Sequence, residues 1–144
     1  MRDMHSTISS VVAIPAATYN ADNTPVNVNL DTYDGALILI QVGAGGITFS
    51  GTNKIEFVLR HGDSTDPTTH TAVAAADIAG VVWATGGIVR SLVAAHAAAT
   101  VVEVSYIGVK PNISVLSDFS GTHGVGTPIA VTVLRGFPLT APVL

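Results

Sequence analysis

Five histidines, two glutamates and a run of aspartates are the residues of this chain with the most chemical potential. His5, His61, His70, His96 and His123 are spaced so that no two fall at i, i+4 of a helix or i, i+2 of a strand. Those are the spacings that bring two imidazoles to one metal. His61 and His70 flank a loop that also carries Asp63 and Asp66, and these four could gather round a cation. The same loop, His61-Gly62-Asp63-Ser64-Thr65-Asp66-Pro67, is built from residue types that favour turns for backbone reasons. It lacks the glycine and distal glutamate of a helix–loop–helix calcium site. The expectation is a solvated turn and no metal.

The other candidates are weaker. Glu56 and Glu103 each lie at an outward position of an alternating segment, whereas paired glycosidase carboxyls must face one another across a cleft. No serine sits in a Gly-x-Ser-x-Gly elbow, and no cysteine is present. Gly43-Ala44-Gly45-Gly46 precedes no helix that could hold a pyrophosphate. Gly124-Val125-Gly126-Thr127-Pro128 lacks the lysine of a phosphate loop. Both glycine runs read as hairpin turns. Asn112-Ile113-Ser114 matches the glycosylation triplet but reads as ordinary strand polarity. Trp83, the one tryptophan, sits among Val81, Val82 and Ala84 and reads as core or interface rather than a sugar-stacking platform. The expectation is no catalytic residue, no cofactor and no enzyme.

The 144 residues that carry these side chains make one domain, large enough to fold without disulfides or metal. Apolar residues are 48% and charged residues 11%, less than half the share usual in soluble proteins, about 25%. The six cations, Arg2, Lys54, Arg60, Arg90, Lys110 and Arg135, form no basic stripe, so direct nucleic-acid binding is not expected. No apolar run reaches the roughly 18–20 residues of a membrane span, so no membrane partner is expected either. The surplus apolar surface points to burial against other proteins.

Val26–Leu30, Lys54–Arg60 and Val101–Ile107 alternate with period two, the mark of half-buried strands. In the second of these, Ile55, Phe57 and Leu59 should face the core. Ala36–Val42 is a continuous apolar run, which predicts a strand covered on both faces. Ile8–Ile14, Thr71–Val73, Gly87–Val93, Asn112–Phe119 and Ile129–Leu134 read as further strands. Ala74–Gly80 reads as a single helical turn and Ala94–Thr100 as a turn region. The fold class is all-β: an antiparallel β-sandwich or jelly roll of about eight to ten short strands. Residues 1–10 read as an extended N-terminal arm and residues 136–144 as an apolar, proline-fixed tail.

From about Asp63 onward the motifs run in a telling order. An aspartate-rich loop leads into Thr71-Ala72-Val73 and Ala76-Asp77-Ile78-Ala79-Gly80. Tyr106-Ile107-Gly108-Val109-Lys110 follows, then Gly121-Thr122-His123 with Gly126-Thr127-Pro128, and finally Gly136-Phe137-Pro138 and Ala141-Pro142-Val143. With the opening Met1-Arg2-Asp3 and the region from Asp31 to Val42, this order resembles the head decoration (capsid cement) proteins of tailed bacteriophages. The resemblance implies a structural virion protein on the capsid exterior, assembled in the host cytoplasm. It would bridge major capsid protein subunits and associate with itself as a dimer or trimer. The expected contact residues are Arg2, Met4 and Ile8 in the arm, with Phe137, Leu139, Val143 and Leu144 in the tail. The competing readings are a phage tail or connector protein, a carbohydrate-binding β-sandwich, and a hydrolase with an Asp–His pair in a cleft.

Overall fold

Alternation decides which side of each strand is wet, and the computed structural model, which describes residues 4–96 and 98–140, places ten strands accordingly. They are β1 (Ile8–Tyr19), β2 (Val28–Asn29), β3 (Tyr33–Val42), β4 (Lys54–Gly62), β5 (Thr71–Ala72), β6 (Ile78–Ala79), β7 (Ile88–Leu92), β8 (Thr100–Tyr106), β9 (Asn112–Ser120) and β10 (Thr127–Pro138). The helical content among the described residues is three single 3-10 turns, at His5–Thr7, Pro67–Thr69 and Ala75–Asp77.

The strands form two antiparallel sheets. Sheet A runs β1-β10-β3-β8-β6. Sheet B runs β2-β9-β4, with β5 and β7 both on the far edge of β4. The pairing is nested: β1 with β10, β2 with β9, β3 with β8, and β4 with β7. The chain is thus one long hairpin rolled over two sheets, which is jelly-roll topology. Apart from β4 and β5, consecutive strands alternate between the sheets. The glycine runs at 43–46 and 124–126 therefore open or close connections that cross from one sheet to the other, which corrects their reading as hairpin turns.

The core lies between the sheets. Ile38, Ile40, Val104, Val131 and Val133 of sheet A meet Ile55, Phe57, Leu59, Ile113 and Val115 of sheet B, all buried. The inward set expected for β4 is the one found. Two arginines tie the layers together. Arg135 of β10 donates to the Asn29 carbonyl of β2 at 3.1 Å and to Ser9 Oγ at 2.7 Å, with its guanidinium 4.6 Å from the Tyr33 ring centre. Arg90 of β7 donates to the Ile40 carbonyl of β3 at 3.0 Å and to the Thr100 hydroxyl. Each sheet sends one cation to the other sheet's backbone, and burial lowers the pKa of Arg90.

Several boundaries differ from expectation. β1 continues past Ile14 to Tyr19 because register shifts on either side of Ile14 accommodate Pro15 on this edge strand. Ile8–Ser10 belong to β1 and Gly136–Pro138 to β10, so the ordered sheet takes in part of both the arm and the tail. Only Val28–Asn29 of the Val26–Leu30 segment pairs as strand. In its place Asn23 and Asp22 cap the edge of β9 with side chains. The Asn23 amide oxygen accepts from the Ser117 N–H at 2.7 Å, its nitrogen donates to the Val115 carbonyl at 3.2 Å, and Asp22 accepts from the Phe119 N–H at 2.7 Å. An edge satisfied this way offers no template for another strand.

The largest correction concerns β3. Ile38, Ile40 and Val42 are buried, but Leu37 and Leu39 are only half-buried and Gln41 is exposed. One face of this apolar run is covered and the other is not.

Candidate docking end of the sandwich

Because β1 and β10 are antiparallel neighbours, the start of the first strand lies beside the end of the last. Ile8 pairs with Gly136. The arm and the tail therefore leave from one end of sheet A. Of the seven expected contact residues, the structure brings Met4, Ile8, Phe137 and Leu139 to this end. Arg2, Val143 and Leu144 lie outside the described residues.

The local geometry is well tethered. Met4 caps the first 3-10 turn through its carbonyl, which accepts from the Thr7 N–H at 3.1 Å and the Thr7 hydroxyl at 3.0 Å. The Leu139 N–H donates to the Thr32 carbonyl at 2.9 Å. Phe137 is the single non-glycine residue with positive φ among the described residues, at 55°. That conformation is costly for an aromatic residue, about 1–2 kcal/mol. It turns the ring outward beside Gly35, leaving Phe137 78% exposed and Leu139 66% exposed.

Two residues that sequence reasoning missed share this end: Ile107 and Val109, the latter 93% exposed. An apolar side chain inside the tight Gly108-Val109-Lys110-Pro111 turn was the available signal. A turn residue has no core to reach, so a valine there is left outside.

Between residues 30–35 and this turn lies a cleft of about 270 Å³, lined by Leu30, Asp31, Tyr33, Asp34, Tyr106 and Val109 among others. Tyr106 also belongs to an arrangement that resembles a catalytic row, whose other two members do not line the cleft. Asp77 Oδ2 lies 3.9 Å from His61 Nε2, and His61 Nδ1 lies 3.0 Å from the Tyr106 hydroxyl. Two of its members are engaged elsewhere. Tyr106 is 2% exposed, and its hydroxyl accepts from the Lys110 N–H at 3.1 Å and lies 3.4 Å from the Lys110 carbonyl. Asp77 also accepts from the Ala74 N–H at 2.8 Å. Burial raises the tyrosine pKa, the Lys110 hydrogen bond opposing. These contacts fasten the 107–111 turn to the sandwich. Lys110 adds an ion pair with Asp63 at 2.6 Å.

The expected cation-loop residues go separate ways. His61 joins Tyr106 and Asp63 joins Lys110. Asp66 caps the second 3-10 turn, accepting from the Thr68 N–H at 3.0 Å, and this bond lowers its pKa. His70 is buried, with Nε2 donating to the Ser64 carbonyl at 2.8 Å, which leaves Nδ1 to accept from the Ser114 hydroxyl at 2.9 Å. Among the described residues, no group of three or more His, Asp or Glu side chains is placed to hold a metal.

The remaining candidates are spread over the molecule. His96 and His123 pack against Phe49, with ring centres 5.6 and 6.5 Å away. His5 lies in the first 3-10 turn. Glu56 pairs with Lys54 at 2.8 Å and Glu103 is exposed on β8. Trp83 packs on the core and donates to the Val73 carbonyl at 3.0 Å. Asn112 is buried and bonded to Asn27 and to the Asp63 carbonyl, so it presents no acceptor for a glycan.

No protein-family model, curated protein or solved structure matches this chain, and no family is identified for it.

Proposed function

We propose that this jelly roll is a structural virion protein that decorates the exterior of a bacteriophage capsid, bridging major capsid protein subunits and performing no covalent chemistry. The observation that carries the reading is the convergence of Met4, Ile8, Phe137, Leu139, Ile107 and Val109 at one end of the sandwich. A strained aromatic held in the open is kept at a cost that a partner's surface would recover.

Three further facts support it. The Asp77–His61–Tyr106 row is occupied with holding a turn. Lys54 and Lys110 are in ion pairs, and Arg90 and Arg135 bond across the sandwich, which leaves little basic surface for phosphates. The order of motifs from Asp63 to Val143 resembles head decoration proteins. Jelly rolls also serve lectins and other binding proteins, so the partner rests on the resemblance and the mode of action on the surface.

The test is occupancy on expanded, emptied shells of the phage whose genome carries the gene. Phe137→Gly relieves the positive φ while deleting the ring, so the domain stays folded. Combined with Leu139→Ser it should cut shell occupancy at least about tenfold. Unchanged occupancy removes this end from the account, and immunogold label on tails rather than heads ends the capsid reading.

A further inference from the structure

We propose that the outer face of sheet A is a self-complementary surface on which a second copy of this chain docks. The register sets out that face row by row. Leu37 pairs with Leu134, which pairs with Ser10. Leu39 pairs with Thr132, which pairs with Val12. Gln41 pairs with Ala130, and Val101 pairs with Gln41 from the other side. Val12 and Val101 are 57% and 59% exposed, and Leu37, Leu39 and Leu134 are half-buried in the single chain. Across β1, β10, β3 and β8 the outward positions hold one charge, Glu103.

Charge, relief and area all favour a second copy as the occupant. The chain carries a net charge of −4, so copies repel wherever charged surfaces meet. This face is where that repulsion is least. Its two ends also differ. One carries the bulky, half-buried Leu37 and Leu134. The other is hollow, a groove of about 430 Å³ lined by Ala16, Ala17, Ala99, Val101, Pro128 and Ala130 among others. A two-fold axis lying in the face and running across the strands sets the leucine end of each copy over the alanine end of its mate, an isologous contact.

The area is sufficient. Four strands about 4.8 Å apart, over the seven residues of β8, span roughly 19 Å by 23 Å. Two such faces give roughly 900 Å² as flat area, and side-chain relief carries the accessible area past the about 1,000 Å² that a specific interface needs. Glu103 lies in the Leu39 row, through which the axis passes, so the two copies of Glu103 meet at the rim as like charges.

The experiment is sedimentation of the full chain from about 1 to 100 µM, with folding followed by circular dichroism. The expected result is a particle of twice the 14.7 kDa chain mass. Leu39→Glu should weaken association by about a hundredfold or more, since each dimer carries it twice. Val101→Lys, at an exposed position that folding does not need, reads the same contact should Leu39→Glu fail to fold. Glu103→Gln should tighten the dimer a few-fold by removing the rim repulsion. A chain that stays at 14.7 kDa across that range overturns the proposal. So does a dimer indifferent to the face variants, or one dissociated by Phe137→Gly. Shell occupancy is read on the terminal-end variants, so failure of this proposal and failure of the capsid reading are distinguishable.

Discussion

The two outer faces of this sandwich have been treated in opposite ways. Over sheet B the chain lays its own loops. His70 comes down on Ser114, Asn27 and Asn29 meet Asn112, and the result is a face where Ser114 and Asn112 are almost wholly buried. Lys54, Glu56, Arg60 and Asp118 cluster on the same side, at outward positions of β4 and β9. Over sheet A the described residues lay nothing comparable, and leucine, valine, alanine and threonine share the outward positions with Ser10, Gln41, Ser105 and a single charge, Glu103. A buried polar face is expensive unless every group finds a partner, so the chain supplies those partners itself. An apolar face needs only to be hidden, and any surface of matching shape will do. The difference separates a face the chain covers with its own groups from one it leaves uncovered.

Removing the lid from sheet B should have the largest effect. His70→Ala strands the Ser114 hydroxyl and opens a cavity, and should cost about 2–4 kcal/mol in urea unfolding. A loss below about 1 kcal/mol would mean the lid is decorative and the two faces are more alike than described. Next comes the fastening of the 107–111 turn. Tyr106→Phe should cost about 1–2 kcal/mol. Because the tyrosine pKa is raised in the fold, the native state holds its proton longer than the unfolded chain, so stability should fall as pH climbs above 10. The variant should lose part of that alkaline slope. On the bare face, Leu39→Ser should change the stability of the dissociated chain by less than about 1 kcal/mol, measured at a concentration too low for self-association. A larger loss would make Leu39 part of the fold.

The smallest effect belongs to Asp66. Its carboxylate is lowered below 3.8 by the Thr68 bond, so its contribution is present above that value and fades as pH falls through it. Asp66→Asn should flatten the acid limb of a urea-midpoint profile between about pH 5 and 2, leaving the neutral plateau nearly unmoved because asparagine also caps.

The strands and their buried faces were legible in the sequence because period two reports burial directly. Lys54–Arg60 turned out as its alternation implied, and Trp83 packs as its neighbours suggested. Partnership was not legible. Alternation says which side of a strand is wet but not which strand lies beside it, so nested pairs looked like successive hairpins. The run Ala36–Val42 misled for a related reason. A residue covered by the fold and one left half-exposed beside it look identical in sequence, and only the structure separates Ile38 from Leu39. The contacts that fasten Tyr106 and cap β9 join residues far apart in the chain, beyond the reach of any local pattern.

The neighbouring exits of β1 and β10 also set how the molecule bears load. Pulling Ile8 away from Gly136 would open their strand pair one hydrogen bond at a time, like a zipper, and that is the weak direction of a sheet. Tension applied to both ends together, from a single anchorage, never works against that seam. A sandwich built on this plan resists best when both ends are held together and the strain passes onward through its broad sides.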